Sequence, residues 1–163
     1  MGQGVRIHRA ASLGIAATAT AVAVLTGIGA PAVAGTSASN ATTKTSVSTR
    51  HTALGTFLID SKGRTLYLFQ KDKKNLSKCS GKCATAWPPA LAPHGVIAKG
   101  AVQKKLLSRI HRADGTWQIT YNGHPLYRYI GDTKAGQTHG QGLTQFGANW
   151  YVVQPNGNKI DND

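Results

Sequence analysis

A tandem repeat is the strongest constraint on how this chain folds. It reads LYLFQKD at Leu66–Asp72 and LYRYIGD at Leu126–Asp132. Both stretches are Leu-Tyr-x-aromatic-x-x-Asp, and each follows a glycine by three residues, Gly63 and Gly123. At the same offset of sixty, Phe57 meets Trp117 and Ile59 meets Ile119, so the repeat runs without a gap across Phe57–Asp72. One supersecondary unit, built twice, accounts for such a pattern.

Each copy reads as a β-hairpin or meander. In the second, TWQITY (Thr116–Tyr121) alternates and is β-prone, and Asn122-Gly123 is a two-residue turn in which both residues tolerate positive φ. PLYRYI (Pro125–Ile130) is the return strand, and SRIHR (Ser108–Arg112) adds a strand ahead of the hairpin. In the first copy, GTFLID (Gly55–Asp60) and RTLYLF (Arg64–Phe69) flank the turn SKG. WYVVQ (Trp150–Gln154) reads as a last strand, ended by PNGN. Thr133–Asn149 is glycine-rich and aperiodic, hence a loop, and Ala101–Leu107 is the one short helical candidate. The fold class is therefore mainly β: two tandem hairpin repeats packed as one small domain with little helix.

Alternation along a strand puts Tyr67 and Phe69 on one face, and Tyr127 and Tyr129 on one face. The other face carries Leu66 and Leu68 in the first copy but Leu126 and Arg128 in the second. The aromatic face is common to both copies, so it is the expected core between them.

The ends of the chain follow different rules. Arg6 and Arg9, the apolar run Leu13–Ile28 and Ala32-Val33-Ala34 form a secretory signal over residues 1–34. The run is short for a membrane span, and none is expected after its removal. Residues 35–52 are rich in Ser and Thr and read as a flexible leader. The single domain is then 53–163, with repeats at about 53–100 and 108–160. Without the signal, 17 Lys and Arg face 6 Asp, a balance of 17 − 6 = +11. For an exported chain this favours anionic wall polymers or lipid headgroups as partners. No nucleic-acid partner is expected, because no nucleic-acid motif is present. Lys71, Lys73, Lys74, Lys78 and Lys82 cluster in one loop and form the candidate anion-binding patch.

Three sets of residues carry possible chemistry. Asp72 and Asp132 fall at strand exits, where an Asp fixes a turn or accepts from a tyrosine hydroxyl. Tyr67, Asp72, Tyr127 and Asp132 are thus either a folding element or a ligand site at the junction. A glycosidase-like carboxylate pair exists on paper but has no other support. Cys79 and Cys83 are four apart in an exported chain, where a disulfide is the default. The alternative is copper or zinc held by Cys79, Cys83 and His139, the residue sixty beyond Cys79. Otherwise no cofactor is expected. Enzyme signatures are missing: there is no Gly-x-Ser-x-Gly, no phosphate loop, no His-Glu-x-x-His and no Glu in the chain.

Taken as a set, the two Tyr-x4-Asp copies, Cys79-x3-Cys83, Trp87-Pro88-Pro89 and NGHPLY resemble a family of bacterial secreted repeats and predicted lipoproteins. The resemblance covers about Leu54–Gly157 and falls on Tyr67, Asp72, Tyr127 and Asp132, with Cys79 and Cys83 between them. It implies a secreted or envelope-associated protein and supplies no activity. The chain departs from lipoprotein members in having no cysteine for lipid attachment near the cleavage site.

Overall fold

Nine strands and one short helix make up residues 42–161, the part described by the computed structural model. The expected signal and the first residues of the expected leader lie outside the described residues. In chain order the strands are β1 (Thr45–Thr52), β2 (Gly55–Asp60) and β3 (Tyr67–Phe69), followed by helix α1 (Lys82–Ala86) and β4 (Val96–Ala98). Then come β5 (Leu107–His111), β6 (Trp117–Tyr121), β7 (His124–Pro125), β8 (Thr144–Gln145) and β9 (Ala148–Val152). They form three small sheets, ordered β2-β1-β4, β3-β9-β8 and β5-β6-β7. The mainly β fold read from the repeat is the fold observed.

The leader expectation needs correction. Thr45–Thr52 is not a flexible tail but the central strand of its sheet, antiparallel to β2 and parallel to β4. Its Ser and Thr residues looked like disorder, yet threonine is β-branched and suits a strand paired on both sides. Val47 supplies the buried anchor. β1 occupies in the first repeat the place that β5 holds in the second. Arg50 pairs with Phe57 as Ile110 pairs with Gln118. The sequence carries a trace of this: Ser48 and His51 recur as Ser108 and His111.

The gapless register also fails, by one residue. Ile59 bridges Thr65, whereas Thr120 pairs with Pro125. The turn after β2 is therefore one residue longer than the Asn122-Gly123 turn after β6. A one-residue slip sends every side chain to the opposite face. Phe57 is wholly buried and Trp117 is 41 % exposed, so they are not equivalents; Gln118 stands where Phe57 stands. Leu58 and Ile119 become the true pair, each accepting the amide of its copy's leucine, Leu66 or Leu126.

The repeats interlock rather than stack. β3 of the first repeat pairs with β9 of the second. In return, residues 127–130 of the second run along residues 86–89 of the first: Tyr127 bridges Pro89, and the Ile130 amide donates to the Ala86 carbonyl. At the centre Tyr67 and Tyr127 exchange both backbone hydrogen bonds, each 2.9 Å. A pseudo-two-fold axis thus passes between the two motif tyrosines.

Two hydrophobic clusters lie on opposite sides of these strands. Tyr67, Phe69, Tyr127, Trp87 and Trp150 fill one, with Tyr129 packed against it. This is the shared aromatic core expected from alternation. The opposite side is a core as well, built from Leu66, Leu68, Leu126, Ile119 and Tyr121. Arg128, half-buried beyond it, donates to the Pro89 carbonyl at 2.8 Å. The helical candidate at Ala101–Leu107 reduces to one 3-10 turn, Lys104–Leu106, while α1 sits in the cysteine loop. The glycine-rich loop contains β8, which forms a hairpin with β9.

Candidate functional site

Each motif tyrosine bonds the aspartate of the other repeat. The Tyr67 hydroxyl donates to Asp132 Oδ2 at 2.6 Å, and the Tyr127 hydroxyl donates to Asp72 Oδ2 at 2.7 Å. The second carboxylate oxygen of each Asp accepts a backbone amide from the following loop. Lys78 supplies it to Asp72 at 2.6 Å, and His139 to Asp132 at 2.9 Å. The Tyr-x4-Asp spacing therefore serves a reciprocal latch. β3 sets Tyr67 on the buried face, whereas the expected return strand Pro125–Ile130 is regular only at His124–Pro125, and Tyr127 is set by isolated bridges to Tyr67 and Pro89. In both copies the following residues carry the aspartate across the axis. Lys78 and His139 do the same work in the two copies, six and seven residues past their Asp. His139 is thus the counterpart of Lys78, and Cys79 corresponds to Gly140.

Burial shapes the electrostatics of the latch. It drives the Tyr67 phenol far above its ordinary range, helped by the hydrogen bond to Asp132, and does the same to Tyr127, where the charge of Asp72 adds to it. Burial also raises both carboxyls. Asp72 is pushed up to about 6, although the Lys78 amide and the Tyr127 hydroxyl pull it down. Asp132 is raised by the same cause, against the Tyr67 hydroxyl and the His139 amide. The Asp132 side chain is only 3 % exposed. Asp72 reaches a surface cleft of about 550 Å³ shared with Phe69, Gln70, His124 and Lys159. Each carboxyl is bonded to the opposite tyrosine and to a loop amide.

Around the latch runs a column of four rings drawn alternately from the two repeats. Tyr129, Trp87, Trp150 and Phe69 follow in order, with centroids 4.4, 3.9 and 4.0 Å apart. Tyr67 meets Trp87 edge-on, and Tyr127 meets Trp150 in the same way. Each such pair adds about 0.5–1.5 kcal/mol beyond its buried area. Both indole N–H groups bond Gln145, one to its side chain and one to its carbonyl.

Cys79 and Cys83 are joined by a disulfide, which brackets the start of α1. No cysteine is free among the described residues. Nor does any group of three or more His, Cys, Asp or Glu there gather at metal-binding distance. His139 is exposed, 3.4 Å from Asp132 Oδ1. The lysines Lys71, Lys73, Lys74 and Lys78 are exposed on the loop between β3 and α1, and Lys82 is exposed at the first residue of α1.

Arg112, which sequence reasoning passed over, holds that loop in place. Its buried guanidinium donates to Ser77 Oγ at 2.8 Å, to Gln118 Oε1 at 2.6 Å and to the Cys79 carbonyl at 2.8 Å. Ser77 Oγ in turn lies 2.7 Å from the Tyr127 hydroxyl. The lysine loop is therefore wired to both the latch and the second repeat. No local pattern marks Arg112 as the anchor of this loop, because Ser77 and Cys79, which it holds, lie 35 and 33 residues away. The two tryptophans, by contrast, recur at an offset of 63 and were findable.

A family model described as a secreted repeat of unknown function matches twice, at residues 48–91 and 108–154. The chain belongs to this secreted-repeat family. The first match begins inside β1, in keeping with that strand being part of the repeat. Both matches span their copy's Tyr-x4-Asp motif, so the reciprocal latch lies within the family unit. Membership of a secreted-repeat family agrees with the secretory signal read at the start of the chain. No curated protein and no solved structure matches this secreted repeat. Among the described residues no helix is long and apolar enough to cross a membrane.

Proposed function

We propose that this secreted repeat is a non-enzymatic protein of the cell envelope that binds anionic envelope material through its lysine loop. One observation carries the reading: every described aspartate is bonded within the chain, whereas the five clustered lysines form no salt bridge among the described residues. Each of the five described aspartates is bonded within the chain. Asp60 holds Arg64, Asp114 holds Arg112, Asp161 holds Lys159, and Asp72 and Asp132 hold the opposite tyrosines. None of the five clustered lysines forms a salt bridge among the described residues, and all are exposed. Their field is therefore available to a polyanion.

Sedimentation of the mature secreted protein with isolated cell-wall material tests this. Binding at low salt should fall steeply as ionic strength rises and exposed charges are screened. Salt-independent binding, or none at any salt, would discard the electrostatic reading. Thiol counting and elemental analysis of the same sample address the alternative, copper or zinc on Cys79, Cys83 and His139. That role requires the disulfide reduced; two free thiols with a bound metal ion would favour it over the polyanion reading.

A further inference from the structure

A groove runs between the lysine loop and β5. It consists of two adjoining hollows of about 390 and 520 Å³, whose walls share Asn75 and Ile110. We propose that this groove seats one strand of a phosphodiester-linked polymer, of the poly(glycerol phosphate) type. The proposal rests on the polyanion reading above and narrows it to one place and one chemistry.

The first hollow is lined by the cations Lys74, Lys105 and Arg109, by Asn75, Ser108 and Asn122, and by no acidic residue. Its two lysines come from opposite walls, Lys74 from the loop after β3 and Lys105 from the turn just before β5. Thr120 lies beneath it. Thr120 pairs with Ser108 across β5 and β6, so the two side chains share the face that the groove occupies. Thr120 is wholly buried, and its hydroxyl has no partner within the protein. Leaving such a group unmet is unfavourable, and an oxygen-rich ligand in the groove offsets that.

Lys74 is held in position. A Cβ on Gly123 would lie 2.8 Å from Lys74 Cγ, so only glycine lets the lysine stem lie across the turn. The Asn75 amide donates to the Gly123 carbonyl at 2.7 Å, and Asn75 itself has φ of 57°. Asparagine tolerates that region, and the bond to Gly123 fixes the loop against the turn. The second hollow adds Lys78, Ser77, Ser80 and His111. Its one acid, Asp114, is already taken by Arg112 and Thr116.

Shape and donor type select the ligand. A groove with two lobes admits a strand, whereas a flat headgroup surface meets only the lysine tips. Besides Arg109, the donors are point-charge ammonium groups and single hydroxyls and amides, suited to the several oxygens of a phosphate. The two guanidiniums along the groove are engaged within the fold, Arg112 by Ser77, Gln118 and the Cys79 carbonyl, and Arg109 by the Ala92 and Pro93 carbonyls and the face of Trp117, so the lysines act on the ligand as point charges, a common mode of phosphate binding.

The experiment titrates the mature secreted protein with poly(glycerol phosphate), with polyglutamate and with phosphatidylglycerol vesicles. Ser108 is exposed, so Ser108→Trp blocks the groove without changing charge or melting temperature. We expect poly(glycerol phosphate) to bind at least tenfold more tightly than polyglutamate. Ser108→Trp should weaken polymer binding at least tenfold. Lys74→Ala with Lys105→Ala should do the same, and Lys71→Ala with Lys82→Ala, which removes equal charge outside the groove, should cost less than threefold. Wild-type affinity in Ser108→Trp, or equal losses in the two lysine pairs, would overturn the groove while leaving the basic-surface reading intact. Vesicle binding without polymer binding would overturn it in favour of a membrane surface. No binding to any of the three would remove both readings.

Discussion

Burial pushes the Asp72 carboxyl up to about 6, above the usual carboxylate range. Folding therefore favours its protonated form. Asp72 contributes stability that is full below about pH 4 and is lost as pH rises through about 6. The size is ~3 kcal/mol at most, because the group keeps some contact with solvent. We expect wild type to lose melting temperature between pH 5 and pH 7.5 relative to Asp72→Asn, the difference between the two curves isolating this carboxyl. His124, whose burial lowers its pKa, acts in the opposite sense and is common to both proteins. A difference curve flat with pH would refute the assignment. The tyrosines separate packing from hydrogen bonding. Tyr67→Phe keeps the ring but takes a donor from a carboxylate that is 3 % exposed, and should cost about 1.5–3 kcal/mol. Tyr67→Ala also opens a cavity beneath Trp87 and should cost about 3–5 kcal/mol. Urea denaturation of both variants measures this, and equal losses would show that the hydroxyl adds nothing.

Among the elements, β1 and the cysteine loop were the hardest to read. β1 holds Val47 as its single buried residue, so it lacks the apolar alternation that announces a strand. Its stability comes from pairing along both edges, which is a tertiary property. A chain beginning at Ala53 should lose the β2-β1-β4 sheet and either fail to fold or be several kcal/mol less stable. Circular dichroism with thermal melting checks this; a truncated chain that melts like the full one would return Thr45–Thr52 to a leader. The Asn122-Gly123 turn, by contrast, was legible because both residues take positive φ, 50° and 81°. The matching turn of the first repeat, a residue longer and closed by Asp60 bonding Arg64, carries no such signal. That difference is what moved Trp117 to the surface.

At the scale of the whole molecule the two repeats are halves of one core. Trp87 of one stacks on Trp150 of the other, and each latch needs a residue from both. Neither half can bury its aromatic face alone. We expect a fragment spanning residues 42–104, expressed by itself, to be unfolded or to form a dimer that restores the two-fold exchange. Sedimentation with circular dichroism decides, and a folded monomeric half would contradict the interlocked core. The lysine loop belongs to this scale too, since Arg112 of the second repeat anchors it through Ser77 and the Cys79 carbonyl.

From sequence alone came the repeat, the β class, the aromatic core face, the close cysteine pair and the basic loop. Each depends on residue type at short spacing, which local sterics and alternation fix. Tertiary structure decided the rest: which tyrosine bonds which aspartate, that β1 is a strand, that Phe57 answers to Gln118, and that the lysine loop walls a groove. These depend on contacts between residues distant in the chain, set when the two copies close about their common axis, and no local pattern encodes them.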